Sequence, residues 1–128
     1  MQTNPVIWFE IYVQDMARAK AFYETLLQRT LEKLNTPDTL EGGVELWAFP
    51  MDSTAMGASG ALAKMEGCGS GGGGTLVYFT CEDCAVEAAR AAPAGGSILK
   101  EKFAIGEYGH IALINDTEGN VVGLHSMK

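Results

Sequence analysis

Three side chains with chemical potential share one face of the first apolar segment. Residues 6–13 alternate with a period of two, which predicts a strand with Trp8, Glu10 and Tyr12 on one face. Partial desolvation between the two aromatic side chains would raise the pKa of the Glu10 carboxyl toward the range of a general base. Glu10 is therefore the first candidate for a catalytic proton acceptor. The alternative is a carboxylate that a tyrosine or backbone partner satisfies, or that lies in water.

Further candidates come from later segments of the chain. His125 is the second candidate catalytic residue, as an acid, a base or an oxyanion donor opposite Glu10, unless it is a half-exposed residue of a terminal strand. Strand parity brings Tyr78 to the same site, and Trp47 would add an aromatic wall, although the face of its strand stays open. An apolar cleft with a few convergent polar groups is the usual form of a small-molecule site. The expected ligand-binding residues are Trp8, Tyr12, Trp47 and Tyr78.

Two similar series of elements position these residues. After the first strand, Asp15 is a typical N-cap, and apolar residues at helical spacing predict a helix over 16–27. Short strands at 30–34, 44–49 and 60–65 follow, with turn residues at 35–38. The order restarts with a strand at 75–81, a helix capped by Asp83 that runs through Ala92, a strand at 97–100, and a hairpin of 110–115 and 120–125.

This repeated order predicts an α+β fold. A strand, a helix and three strands cannot cover both faces of their own sheet, so two βαβββ modules would form a curved mixed sheet with helices outside and a concave cup inside. The expected organisation is a single domain, 1–128, with a first module at 1–66, a Gly-rich linker at 67–74 and a second module at 75–128. Consecutive glycines suit a flexible connector or flap, because ordering them costs backbone entropy.

Both ends of the chain carry motifs of a known family. Residues 8–15, with Phe22 and Tyr23 in the helix that follows, resemble the opening of vicinal oxygen chelate proteins, the glyoxalase, bleomycin-resistance and dioxygenase superfamily. Residues 115–125 resemble the terminal hairpin of that superfamily. The resemblance covers nearly the whole chain, and it implies the same cup, a small-molecule ligand and a homodimer.

Metal-dependent members of the superfamily hold a divalent cation with four inward residues, usually His, Glu or Gln. Carried onto this chain, the resemblance gives Trp8, Leu76 and Gly123 at three of these positions. The fourth lies near Gly60. Tryptophan, leucine and glycine side chains offer no lone pair suited to such an ion. We therefore predict neither a metal nor another cofactor, which argues against chemistry that needs a Lewis-acid ion.

Two other groupings of ligating residues are present. A relocated metal site could use Glu10, His110 and His125. Cys81 and Cys84 form a CxxC pair, but a second pair for zinc and a thioredoxin-like pattern are missing. The preferred interpretation is structural, with Cys81 on the helix-facing side of its strand and Cys84 opening the helix.

Composition excludes several classes of partner. The net charge is −7 and the pI about 4.7, which argues against nucleic acid and anionic membranes, since both need a basic surface. The first residues lack the basic and then apolar order of a signal peptide, and no apolar run approaches the roughly 20 residues of a membrane helix. Three cysteines, an odd number, fit a reducing cytoplasm.

Three functions follow from these observations. The first is a metal-independent enzyme of lyase or isomerase type, with Glu10 as general base and His125 assisting. The second is a binding protein that sequesters its ligand without turnover, as in the bleomycin-resistance branch; the acidic charge and aromatic cup suit a cationic or flat ligand. The third is an interaction module or accessory subunit.

Overall fold

The computed structural model describes residues 4–36 and 43–128, which divide into two compact units. Residues 8–75 form the N-terminal unit, and residues 4–7 with 76–128 form the C-terminal unit. The division thus falls inside the first strand, between Ile7 and Trp8. The Gly-rich segment at 67–74, which we expected to be a linker, belongs to the N-terminal unit. The single-domain organisation stays a prediction.

The N-terminal unit contains one helix and three strands after the first strand. The elements are β1 (Val6–Tyr12), α1 (Met16–Leu27), β2 (Glu32–Lys33), β3 (Glu45–Ala48) and β4 (Ser59–Lys64). The strand order is β2-β3-β4-β1, with β1 and β4 parallel and the other pairs antiparallel. All the elements predicted for this half are present. Pro37 and Asp38 of the predicted turn lie outside the described residues.

The C-terminal unit repeats this order. Its elements are β5 (Thr75–Thr80), α2 (Cys84–Arg90), β6 (Ser97–Ala104), a short 3-10 helix (Gly106–Tyr108), β7 (His110–Asn115) and β8 (Val121–Ser126). The strand order is β5-β8-β7-β6, with β5 and β8 parallel. Strand β6 is longer than expected because it follows β7 through two register shifts. Helix α2 ends at Arg90, two residues earlier than expected, and Ala91 is its C-cap.

Helix α1 covers one face of the N-terminal strands. Its N-cap Asp15 accepts a hydrogen bond from the Arg18 backbone N–H at 3.0 Å. Its core comprises Val13, Met16, Leu31 and Leu62, with Ile11 packed against them. Since side chains alternate along a strand, the odd-numbered residues of β1 face α1 and the even-numbered ones face away from it.

Helix α2 packs on the C-terminal strands through mostly small residues. Its core consists of Cys84, Ala88, Ala112 and Leu124, three of them small residues. The side chain of its N-cap, Asp83, accepts a hydrogen bond from the Ala85 N–H and forms an ion pair with Lys102. Small side chains at the contact allow helix and strands to approach closely.

The α+β class and the two βαβββ modules predicted from the sequence are confirmed. Within the part of the chain that the structure describes, no helix combines the length and apolar character needed to cross a bilayer.

Candidate functional site

Glu10 is held by two aromatic donors of its own strand. Trp8 Nε1 donates to Glu10 Oε2 at 3.2 Å, and the Tyr12 hydroxyl donates to Oε1 at 3.0 Å. Glu10 is 9% exposed. Hydrogen bonds donated to carboxylate oxygens favour the ionised form of a carboxyl group, whereas the desolvation that we expected from the sequence favours the neutral form. We call this group of three residues the Glu10 clamp.

The strand beside the clamp presents very small side chains. Ala61 pairs in register with Glu10, and Ala63 with Tyr12; both alanines are fully buried. In parallel strands, paired residues point to the same side, so methyl groups lie next to the carboxylate. Burial, and then the charge of Glu10, raise the pKa of the Tyr12 phenol well above its usual value. Tyr12 therefore remains protonated, and a hydrogen-bond donor, at neutral pH.

The Gly-rich segment is attached to the end of β1. The Tyr12 backbone N–H donates to Gly74 O at 2.7 Å, and Gln14 Nε2 donates to Cys68 O at 3.1 Å. These two contacts attach the segment to the chain at the end of β1, and its role as a flexible connector or flap stays a prediction.

The structure corrects the expected position of Trp47. This residue pairs in register with Leu62 and packs against the core under α1, where the Lys20 ammonium lies 5.0 Å from its ring centroid. Trp47 Nε1 donates to Glu45 on the same face. Trp47 thus lies on the face opposite Glu10 and adds no wall to the clamp, because the register of β3 against β4 turns it toward the helix.

Tyr78 and His125 lie in the C-terminal unit. The Tyr78 ring occupies the space that a side chain at Gly123 would need. His125 Nε2 lies 2.6 Å from the Tyr108 carbonyl oxygen, so this nitrogen carries a proton and donates it, leaving Nδ1 for any acid–base role. That these two residues act together with Glu10 stays a prediction.

His110 and His125 point to opposite sides of their strands. His110 pairs with Ser126, whose hydroxyl accepts from the Cys84 N–H at the start of α2, so both face the helix. His125 pairs with Ile111 on the other face. The relocated metal site is therefore not assembled. Among the residues that the structure describes, no cluster of three or more His, Cys, Asp or Glu is suited to an ion.

The positions that hold metal in the superfamily do not fit a divalent cation here. The Trp8 indole is a donor already directed at Glu10, Leu76 is a buried apolar residue, and Gly123 has no side chain and lies against the Tyr78 ring. A side chain at Gly60 would meet the ring of Phe9, on the face away from Glu10. The side chains at the three matched positions, Trp8, Leu76 and Gly123, therefore supply no metal ligand.

The CxxC pair is structural. Burial, and then the nearby Glu87 carboxylate, raise the pKa of the Cys81 thiol to about 12. Cys84 has no exposed surface and begins α2, as expected. Since the thiolate is the reactive form, the Cys81 thiol is not suited to redox or metal chemistry, and Cys84 is not accessible to a reaction partner.

Several solved structures share the fold. The methylmalonyl-CoA epimerase of Streptomyces coelicolor, in complex with 2-nitronate-propionyl-CoA, is 18% identical, with a TM-score of 0.69 over 98% of both chains. Methylmalonyl-CoA epimerase from Mycobacterium tuberculosis is 15% identical, with a TM-score of 0.68 over 97% of this chain and 88% of the other. A hypothetical protein from Bacillus halodurans is 14% identical, with a TM-score of 0.71 over 99% of this chain and 96% of the other.

No similar sequence was found among curated proteins. The family model of the Glyoxalase/Bleomycin resistance protein/Dioxygenase superfamily, however, matches residues 6–124, a range that includes the clamp and both βαβββ modules except the last two residues of β8. The chain therefore belongs to the Glyoxalase/Bleomycin resistance protein/Dioxygenase superfamily.

Proposed function

We propose that this protein binds a small organic cation at the Glu10 clamp, without a metal ion. The observation that carries the proposal is a buried carboxylate that receives one hydrogen bond on each oxygen from a neutral aromatic donor. These donors hold the carboxylate in place, and hydrogen bonds donated to carboxylate oxygens favour the ionised form. A fixed negative charge between two aromatic rings is the chemistry that recognises ammonium groups.

The surroundings of the clamp strengthen this proposal. The side chains of Ala61 and Ala63 beside the clamp are uncharged, and a charge pair in an apolar setting is screened less than one in water. The net charge of −7 attracts cations toward the protein as a whole.

Choline and its uncharged isostere 3,3-dimethylbutan-1-ol test the proposal by calorimetric titration. We expect choline to bind one per chain and the alcohol to bind at least about tenfold more weakly, as loss of a paired charge predicts. Glu10→Gln should reduce choline affinity to that of the alcohol.

Glu45→Gln is the matched control, because Glu45 also accepts from an indole two residues away, but on the opposite face. Equal loss of choline affinity in both variants, or equal binding of choline and the alcohol, would contradict the proposal.

A second proposal uses the same carboxylate as a proton acceptor. The structural similarity to methylmalonyl-CoA epimerases favours it, since those proteins are epimerases by name. Methylmalonyl-CoA in deuterium oxide is the probe, with exchange of its carbon-bound acidic hydrogen followed by NMR. Glu10→Gln should slow exchange by about 100-fold while binding stays near normal. Absence of exchange in the unaltered protein rejects this role and leaves the binding role standing.

We also propose a cytoplasmic homodimer. The resemblance to the superfamily supports the dimer, and three free cysteines support a reducing compartment. Sedimentation velocity should give twice the mass of the chain; a single monomeric species would contradict the dimer.

A further inference from the structure

We propose a second binding site, for a small carboxylic acid with an apolar body, on the face of β1 opposite the Glu10 clamp. A groove of about 490 Å³ lies there between β1, the second half of α1 and the end of β3. Its volume lies in the range of small-molecule sites, roughly 300–1,000 Å³. We call it the α1 groove. The residues that the argument uses are Phe9, Tyr23, Leu26, Leu27, Arg29 and Phe49.

The floor of the α1 groove is a row of three aromatic rings. The centroids of Phe9 and Phe49 are 5.7 Å apart, and those of Tyr23 and Phe49 are 5.8 Å apart in an edge-on arrangement. Because Gly60 has no side chain, the Phe9 ring can lie in the space that a Cβ atom there would need. These contacts hold the rings in place before a ligand arrives, so binding need not order them.

The wall of the groove is apolar and largely open to solvent. Leu26 is 62% exposed and Leu27 is 47% exposed, both in the last turn of α1. Helix α1 covers β1 around Ile11 and Val13 but leaves the Phe9 end uncovered. An apolar ligand body in the groove would remove the leucines and rings from water together, and that burial is favourable in proportion to its area.

One positive charge stands at the rim. Arg29 lines the groove, and it takes part in no ion pair with any residue that the structure describes. None of the described lining residues is acidic. A guanidinium beside an apolar floor matches a carboxylate through paired hydrogen bonds. The net charge of −7 makes the protein as a whole repel anions, whereas the guanidinium of Arg29 attracts them locally.

The α1 groove is independent of the proposed function. Phe9 and Ile11 are odd-numbered residues of β1, whereas the clamp consists of even-numbered ones, so the sheet separates the two sites. The groove can therefore be tested in a protein whose clamp has been removed.

The probe is 1-anilinonaphthalene-8-sulfonate, an aromatic anion whose fluorescence rises in apolar surroundings, with decanoate and decanol as displacing ligands. We expect saturable binding of one probe per chain, with decanoate displacing it more effectively than decanol. Arg29→Gln should weaken the binding of decanoate by about tenfold and leave the binding of decanol unchanged, as loss of one charge-assisted hydrogen-bonded pair predicts. Leu26→Asp should weaken both.

Two control variants isolate the groove. Arg90→Gln removes an arginine from the last turn of the other helix, and Glu10→Gln removes the clamp; both should leave decanoate affinity unchanged. Circular dichroism establishes that each variant is folded. Equal displacement by decanoate and decanol, or an unchanged affinity in Arg29→Gln, overturns the proposal. A dimer that Leu26→Asp converts to a monomer also overturns it, since a second copy of the chain would then occupy the groove.

Discussion

The two units have the same topology but carry different side chains at equivalent positions of their parallel strand pairs. In the N-terminal unit Glu10 pairs with Ala61 of a parallel strand, and in the C-terminal unit Tyr78 pairs with Gly123 of a parallel strand. Both partners are small, so each leaves room beside the larger residue. One unit uses that room for a hydrogen-bonded carboxylate and the other fills it with a ring. The topology thus supplies the position, and the side chain decides between a polar site and a packing surface.

The helix-facing sides differ in a related way. In the N-terminal unit, Leu62 is a large, fully buried apolar side chain, and helix α1 leaves Phe22 and Leu26 exposed. The C-terminal unit packs Cys84 and small alanines beneath a shorter helix. The N-terminal core thus includes a large apolar residue where the C-terminal core consists mostly of small ones. Four substitutions test this comparison, from the largest expected effect to the smallest.

Leu62→Ala should lower the free energy of unfolding more than the other substitutions. Removing a fully buried leucine loses apolar burial and leaves a cavity, so we expect the free energy of unfolding to fall by about 3 kcal/mol. Cys84→Ala, at an equally buried place in the other unit, removes only a sulfur atom and should cost about 1 kcal/mol. Urea denaturation measures both, and equal losses would remove the distinction between the two cores.

Gly123→Ala should cost about 2 kcal/mol, because the new methyl group would overlap the Tyr78 ring. The control is Gly72→Ala, where nothing lies within 4 Å of the new methyl group; its change should stay below about 0.5 kcal/mol. In a Tyr78→Ala background, the cost of Gly123→Ala should disappear. A cost that persists there would show that the ring does not limit this position.

Tyr12→Phe should lower the free energy of unfolding by about 1.5 kcal/mol, since Glu10 Oε1 loses a donor in a buried setting. Tyr23→Phe, a tyrosine in the α1 groove, should change it by less than about 0.5 kcal/mol. Thermal unfolding at neutral pH compares the two. Equal effects would mean that the clamp contributes nothing to stability.

Asp83→Asn should have the smallest effect, and only in its pH dependence. The hydrogen bond from Lys102, and then that from the Ala85 N–H, lower the pKa of the Asp83 carboxyl. A lowered folded-state pKa contributes stability above the unfolded value of 3.8, and this stability is lost as the pH falls through the folded-state pKa. The drop in urea midpoint between pH 6 and pH 3 should therefore be smaller in Asp83→Asn. An unchanged drop would exclude Asp83 from the acid response.

Much of the fold follows from local sequence patterns. Asp15 and Asp83 begin the helices that their N-cap chemistry predicts. Period-two alternation indicates the strands and puts Trp8, Glu10 and Tyr12 on one face, and the two donors of Glu10 follow from that spacing. The sequence predicts a tyrosine as one possible partner of Glu10, but it indicates Trp8 only as an aromatic neighbour and not as a hydrogen-bond donor.

The tertiary structure decided which face of each strand meets a helix. Alternation divides the side chains of a strand into two sets but does not say which set the helix covers; pairing register and helix position decide that. For this reason Trp47 lies under α1, and His110 and His125 point to opposite faces of their strands. The sequence alone allowed each of these residues to lie on the same side as Glu10. The sequence by itself determined the order of elements and the composition of the clamp, because these depend on neighbours along one strand. The α1 groove depends on where a helix ends above a sheet, and only the folded chain determines that.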